Sequence, residues 1–278
     1  MWLILALVTA VFWAIGIVML KKGVNYLPLC LVYLLNALAF GAWWFLYWLI
    51  NGGWQFNWTA AGLALLPGVA FVFTLTALSR AEAALISVAG SINPLVTAGL
   101  AVLFLGERLN IPQGVLIAAV ISGIVIMAWP EKLSGKISRG IVWGLGYGLI
   151  YGVINFSGKY AIDTVGPTSY SLMNTAWMLL ISLVWLLIEG EEKKLLSLVK
   201  SVSGKQTIAA TIVFNLGGLA FFLAVAAGQV SLVMPVVNLY VPLICILAWW
   251  WLKEKMTRRQ MAGAGVIVAS VILLSLMS

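Results

Sequence analysis

The chain has 278 residues, of which 63% are hydrophobic and 9% charged, with a net charge of +8. Soluble domains carry about a quarter charged residues, so this composition describes an integral membrane protein. The basic residues are scattered over short connections, which excludes a nucleic-acid-binding face, and the absence of histidine excludes histidine metal sites, histidine proton relays and Ser-His catalysis.

Ten apolar segments follow in order: 2–20, 29–50, 58–79, 83–105, 111–129, 139–160, 167–188, 207–227, 231–252 and 258–277. A helix needs about 20 apolar residues to cross a bilayer, and unalternating runs of this length satisfy their backbone in lipid only as helices. The first segment opens without a basic leader and ends in Lys21-Lys22 rather than a small-residue cleavage site, so it reads as a retained span. Cys30 and Cys245 lie inside apolar segments and read as small buried residues. Segment 189–206 is the one sizeable connection. Leu195, Leu196, Leu198, Val199 and Val202 suit a short helix on the membrane surface, and a plain solvated linker is the alternative.

A hairpin around Gly106-Glu107-Arg108 recurs near the end of the chain. Glu107 returns as Glu254, Arg108 as Lys255, Gln113 as Gln260, Ala118 as Gly265 and Ser122 as Ala269, each 147 positions on. Asn110 with Gln113 and Thr257 with Gln260 have the spacing of capping boxes. Earlier in the chain Trp13 pairs with Tyr151, Lys21 with Lys159 and Asn36 with Asn174, each 138 apart. The unit is therefore five helices, over residues 1–130 and 131–278. An odd number of crossings makes the second copy enter the membrane from the opposite face. Inverted repeats of this kind characterise transporters, with the substrate between the copies near mid-membrane.

The Gly-Glu-Arg hairpin, the Asn93-Pro94 helix and the second copy together resemble the drug/metabolite transporter superfamily, in its EamA-like branch. The resemblance covers essentially the whole chain. It implies an all-α bundle of ten transmembrane helices, two inverted five-helix repeats around a central cavity, working by alternating access. It also implies a small-molecule substrate and a multi-pass location in the inner (plasma) membrane. No cofactor or catalytic role is expected, because a membrane-embedded enzyme, the rival class, needs a cluster of acids, histidines or cysteines at one depth and the sequence has none. Membrane lipids are the expected surroundings, with a monomer or weak homodimer as the state.

Orientation follows from charge. Connections after odd-numbered spans hold fourteen Lys and Arg residues, and those after even-numbered spans hold only Arg108 and Lys159. The positive-inside rule puts the odd connections in the cytoplasm and both termini outside. The relatives that the chain resembles usually have both termini inside, so the charge count departs from them.

Polar groups at bilayer depth are costly and often functional. Asn93 beside Pro94, and Asn238 four residues before Pro242, each combine an amide with a helix break. Asn36 and Asn174 sit on aromatic-rich faces with Trp43 and Trp177. Tyr147, Tyr151 and Asn155 project from the sixth span, and Tyr240 from the ninth. With Trp13 these are the candidate cavity residues; interhelical hydrogen bonding is the competing role of Asn93 and Asn238, and a lipid-facing or interfacial place that of the aromatic faces. Lys21 and Lys159 end repeat-related spans, where they suit either anion contacts at the two mouths or snorkelling to the interface. Glu107 is expected to cap a helix end and pair locally. Rows of small residues, Gly140/Gly144/Gly148/Gly152, Gly114/Ala118/Ser122 and Gly265/Ala269, are expected to pack helices closely.

Small multidrug resistance proteins resemble the half-repeat and exchange protons through a mid-membrane glutamate. Phe12-Trp13-Ala14 occupies that depth here, and no acid lies mid-span. The expected cargo is thus a small neutral, zwitterionic or weakly anionic metabolite such as an amino acid, exported or passed by facilitated diffusion. A multidrug or lipid-precursor carrier is the alternative within transport, and a non-transporting membrane scaffold or partner subunit the alternative outside it.

Overall fold

Two proline-free apolar runs, Trp2–Val24 (α1) and Leu29–Asn51 (α2), each form a single continuous helix of 23 residues. The third run breaks into Trp58–Leu63 (α3) and Leu65–Arg80 (α4), because Pro67 has no N–H for the Leu63 carbonyl. Asn93–Phe104 (α5) and Ile111–Ala128 (α6) are shorter. Next come Gly135–Glu189 (α7), Leu195–Lys200 (α8), Val202–Ala227 (α9), Val230–Val237 (α10) and Tyr240–Leu247 (α11). A π-helical turn at Ala248–Leu252 leads to Arg258–Leu276 (α12). This computed structural model describes residues 1–80, 93–128, 135–191, 195–253 and 256–277.

Helix α7 is two arms rather than one rod. Gly166 has φ 78° and ψ 160°, a backbone conformation that glycine adopts without a Cβ penalty, and Pro167 follows it. Twelve residues of straight helix span about 18 Å, yet a Cβ on Gly158 would stand 3.2 Å from the Tyr170 hydroxyl. The chain therefore folds back at Gly166, which separates the sixth and seventh apolar segments.

By length and composition, seven stretches of described helix can cross a membrane, among them 148–189, which holds this fold-back, while α5 and α6 are shorter apolar helices. Both capping boxes form. The Asn110 N–H donates to Gln113 Oε1 (3.0 Å) and the Gln113 N–H to Asn110 Oδ1 (2.8 Å). Thr257 and Gln260 repeat the pair at 2.8 and 3.2 Å.

The packing is reciprocal between the two copies. Helix α1 lies along α9, and α4, the counterpart of α9, lies against α7, meeting its first arm, the counterpart of α1, where the Thr74 and Tyr151 hydroxyls join. The counterparts α2 and the second arm pack on each other, as do α6 and α12. Contacts exchanged in this way are what a twofold relation between copies produces. The close approaches rest on particular glycines. A Cβ on Gly16 would lie 2.6 Å from Phe214 Cα, and one on Gly217 would lie 2.6 Å from Trp13 Cδ1, so α1 and α9 meet almost backbone to backbone.

The small-residue rows behave differently from expectation. Gly114, Ala118, Ser122, Gly265 and Ala269 face outward, and a Cβ on Gly114 or Gly265 would meet nothing within 4 Å. The α6–α12 seam uses Gly123 and Gly263 instead, each against the other's carbonyl. Spacing alone defines a small-residue stripe but not the azimuth at which the partner helix approaches. Of the glycines on α7, Gly152 packs on Val96 of α5, while the surroundings of Gly140 and Gly144 lie outside the described residues. In the 189–206 connection α8 forms, Val199 packs on the core and Val202 is exposed. The side chains of Leu195, Leu196 and Leu198 are outside the described residues.

Candidate functional site

Three groups of side chains meet where the copies face one another. The first stitches the break between α3 and α4. Trp177 Nε1 donates to the Ala61 carbonyl (2.8 Å), Asn174 Nδ2 to the Ala64 carbonyl (2.6 Å) and the Tyr33 hydroxyl to the Gly68 carbonyl (2.8 Å). These carbonyls flank Pro67, where the helix ladder is interrupted, so side-chain donors from α2 and the second arm of α7 satisfy backbone that lipid cannot. Asn36, the counterpart of Asn174, is likewise tied to the opposite copy. Asn215 Nδ2 on α9 donates to Asn36 Oδ1 (2.8 Å) and to the Asn36 carbonyl (3.2 Å). Asn36 and Asn174 are thus both hydrogen-bonded to the opposite copy. Asn215 itself was not singled out from sequence, although a lone amide in the apolar run 207–227 is a visible signal. Trp43 Nε1 donates to the Ile212 carbonyl (3.1 Å) along the α2–α9 seam.

The second group lies at mid-helix depth and is aromatic. Trp13 stacks on Phe214 (centroids 6.0 Å, 19°) and meets Phe221 at 5.0 Å and Tyr240 edge-on at 5.8 Å. Phe214 stacks in turn on Phe71 of α4 (5.8 Å, 29°). Trp13 Nε1 is buried and has no hydrogen-bond partner among the described residues, and the same holds for Oδ1 of Asn238, whose side chain is fully enclosed. A buried polar atom without a partner costs about 1–3 kcal/mol. Asn238 closes α10, and its Nδ2 donates back to the Met234 carbonyl (2.8 Å). Pro242 cannot donate to the Asn238 carbonyl, which takes the Val241 N–H instead (3.0 Å). The predicted break near Asn238 is therefore present.

Across from this cluster is a polar group. The Thr74 and Tyr151 hydroxyls are 2.6 Å apart. Asn93 is buried at the start of α5, and its carbonyl accepts the Thr97 hydroxyl (2.9 Å) and lies against Gly152, next to Tyr151. Asn155, one turn on, is half-buried. Tyr147 lies on α7, and its side chain is outside the described residues.

Apart from these groups, a cleft of about 770 Å³ lies at the end of the bundle that carries both chain termini. Trp2 and Met277 line it together with Glu107, Arg108, Gln113, Lys159, Asp163 and Gln229. Two ends on one face require an even number of crossings between them. Lys159 Nζ pairs with Asp163 (2.8 Å) and donates to the Val225 carbonyl (3.0 Å), so the lysine at this mouth is held by protein acceptors. Lys21 ends α1, eight residues from Trp13, as Lys159 stands eight from Tyr151.

Glu107 caps a helix as expected, but the helix belongs to the other copy. Its carboxylate accepts the N–H groups of Val230 (2.8 Å) and Ser231 (2.9 Å) at the start of α10, and the Ser231 hydroxyl as well. Among the described residues its partners are these groups rather than a neighbouring cation. Free N–H groups and the helix dipole favour an anion there. Glu107→Ala is expected to lower stability by about 1–2 kcal/mol, read as a drop in the thermal midpoint of the purified protein. Glu107→Gln, which keeps one acceptor, should fall between.

Comparison with known proteins follows the same division. The model of the EamA-like transporter family matches twice, over residues 1–129 and 138–276. No curated protein matches. Among solved structures 29 chains match. One crystal structure aligns over 99% of this chain and 96% of its own with a TM-score of 0.78 at 13% identity, a likeness of fold alone. With the family model spanning nearly every residue in two copies, the chain belongs to the EamA-like transporter family, a group of multi-pass membrane transporters within the drug/metabolite superfamily.

Proposed function

We propose that the protein is an alternating-access carrier of a small neutral, zwitterionic or weakly anionic metabolite, an amino acid being one example, working as an exporter or facilitator. The reciprocal packing of α1 on α9 and of the first α7 arm on α4 carries this reading, because rocking one copy against the other moves both seams together. Residues 1–130 and 131–278 are the two halves. Counting the folded-back α7 as two crossings and admitting α5 and α6 brings the total to ten, which agrees with both termini lining one cleft.

The charge bias favours the outer face of the plasma membrane for the end that carries that cleft. Trp13, Tyr151, Asn93, Asn238 and Tyr240 are the residues proposed to meet the substrate. Asn36, Asn174, Trp43 and Trp177 hold the halves in register.

The decisive measurement is flux into proteoliposomes over a panel of amino acids, sugars, nucleosides and amphiphiles. Saturable entry of at least one solute, slowed by Trp13→Ala, is expected, and a protein that moves nothing on the panel is not a carrier of these classes. A reporter fused after Ser278 that is active only in the cytoplasm should stay silent.

A further inference from the structure

The two repeat-related sides of the mid-membrane region differ in chemistry, position by position. Trp13 corresponds to Tyr151 at an offset of 138 and Phe221 to Thr74 at 147, while Tyr240 falls within one position of Asn93, since the same offset sets Pro242 opposite Leu95 rather than Pro94. The structure brings the correspondence into space. Trp13 contacts Phe221 at 5.0 Å, and their counterparts Tyr151 and Thr74 share a hydrogen bond of 2.6 Å. Trp13 also meets Tyr240, and Asn93, the near counterpart of Tyr240, lies against the turn of α7 that carries Tyr151. One side is thus aromatic throughout and the other carries hydroxyl and amide groups.

The sides adjoin. Phe214 stacks on both Trp13 and Phe71, and Phe71 is three residues before Thr74, on the same helix face. None of the six residues is charged. On the same helices the basic residues nearest in sequence are Arg80, six residues from Thr74, and Lys21 and Lys159, eight from Trp13 and Tyr151 respectively, about 9 and 12 Å along the axis.

We infer that this region is a polarised binding site for an uncharged amphiphile, an aromatic or bulky apolar body joined to a neutral hydrogen-bonding head such as an alcohol or amide. The body lies against Trp13, Phe221 and Tyr240, and the head meets Tyr151, Thr74 and Asn93. Two further observations point to a ligand there. Among the described residues Trp13 Nε1 is a buried donor without an acceptor, and Asn238 Oδ1, two residues from Tyr240, is a buried acceptor without a donor. A ligand acceptor against the indole removes the first deficit. Among the described residues the six offer no opposite charge to a cation or anion, so the site favours the uncharged part of the range proposed above.

The inference rests on the carrier reading only for the position of the site, and its test needs no flux. The full chain in nanodiscs is titrated with 2-phenylethanol, phenylacetamide, ethylbenzene, phenethylamine and phenylacetate, following tryptophan fluorescence and thermal stabilisation. The two neutral polar probes should bind best, and the charged pair should be weaker by roughly a hundredfold. Tyr151→Phe should cost 2-phenylethanol about fivefold in affinity and leave ethylbenzene unchanged. Trp13→Leu should weaken every probe.

Equal binding of the charged probes, no binding by any probe, or an unchanged phenylethanol-to-ethylbenzene ratio in Tyr151→Phe overturns the inference. A protein that binds as described but moves nothing across a membrane defeats the carrier reading instead. A carrier whose transported solute ignores both variants defeats this one.

Discussion

Gly16→Ala should destabilise the protein by about 2–3 kcal/mol, despite adding the best helix former to a helix. The added methyl would sit 2.6 Å from Phe214 Cα and Cβ and 2.9 Å from its backbone nitrogen. A backbone on the facing helix has no rotamer to change, so α1 and α9 must move apart. That separation opens a seam of which Gly217 and Trp13 are also part. Gly265→Ala is the matched control. Its Cβ would meet nothing within 4 Å, so the same substitution should gain up to about 1 kcal/mol from backbone entropy alone. Thermal unfolding in one detergent should therefore shift in opposite directions for the two variants. Equal shifts would mean that α1 and α9 are not in backbone contact.

Asn215→Leu should cost about 2–3 kcal/mol, since it leaves Asn36 Oδ1 buried with no donor. Asn215 Nδ2 also bonds the Thr211 carbonyl (2.8 Å), but that oxygen belongs to its own helix. The bond to Asn36 is the one that crosses between copies. Asn36→Leu alone should cost less, and the double replacement should recover part of the loss, because both polar partners are then gone. A double-mutant cycle in thermal stability measures this coupling, expected at about 1 kcal/mol or more. Additive losses would assign the two amides to separate roles.

Several elements were legible from residue order. Lipid admits only helices for runs of this apolarity, so α1, α2, α9 and α12 fall where hydropathy puts them. Capping boxes at Asn110 and Thr257 are local, made within four residues, and nothing distant can override them at an exposed helix start. The separation of segments 139–160 and 167–188 was legible as well, while the Gly166 conformation that folds α7 back is seen only in the structure. Duplication was legible for a different reason. It is a relation between positions in the sequence, and the twice-matching family model follows the same register.

What the amino-acid order determined, then, is the all-helical membrane class, the two copies and the local stops and starts. Tertiary structure decided which faces meet. It sent Gly114 and Gly265 outward while using Gly123 and Gly263, carried the Glu107 carboxylate to a helix of the other copy, turned Asn36 and Asn174 into ties between halves, and set an aromatic side against a hydroxyl one. The physical reason is that hydropathy in a bilayer is nearly uniform around a buried or lipid-facing helix. Periodicity therefore carries little information about azimuth, and close packing and hydrogen-bond satisfaction, which act only between assembled helices, make that choice.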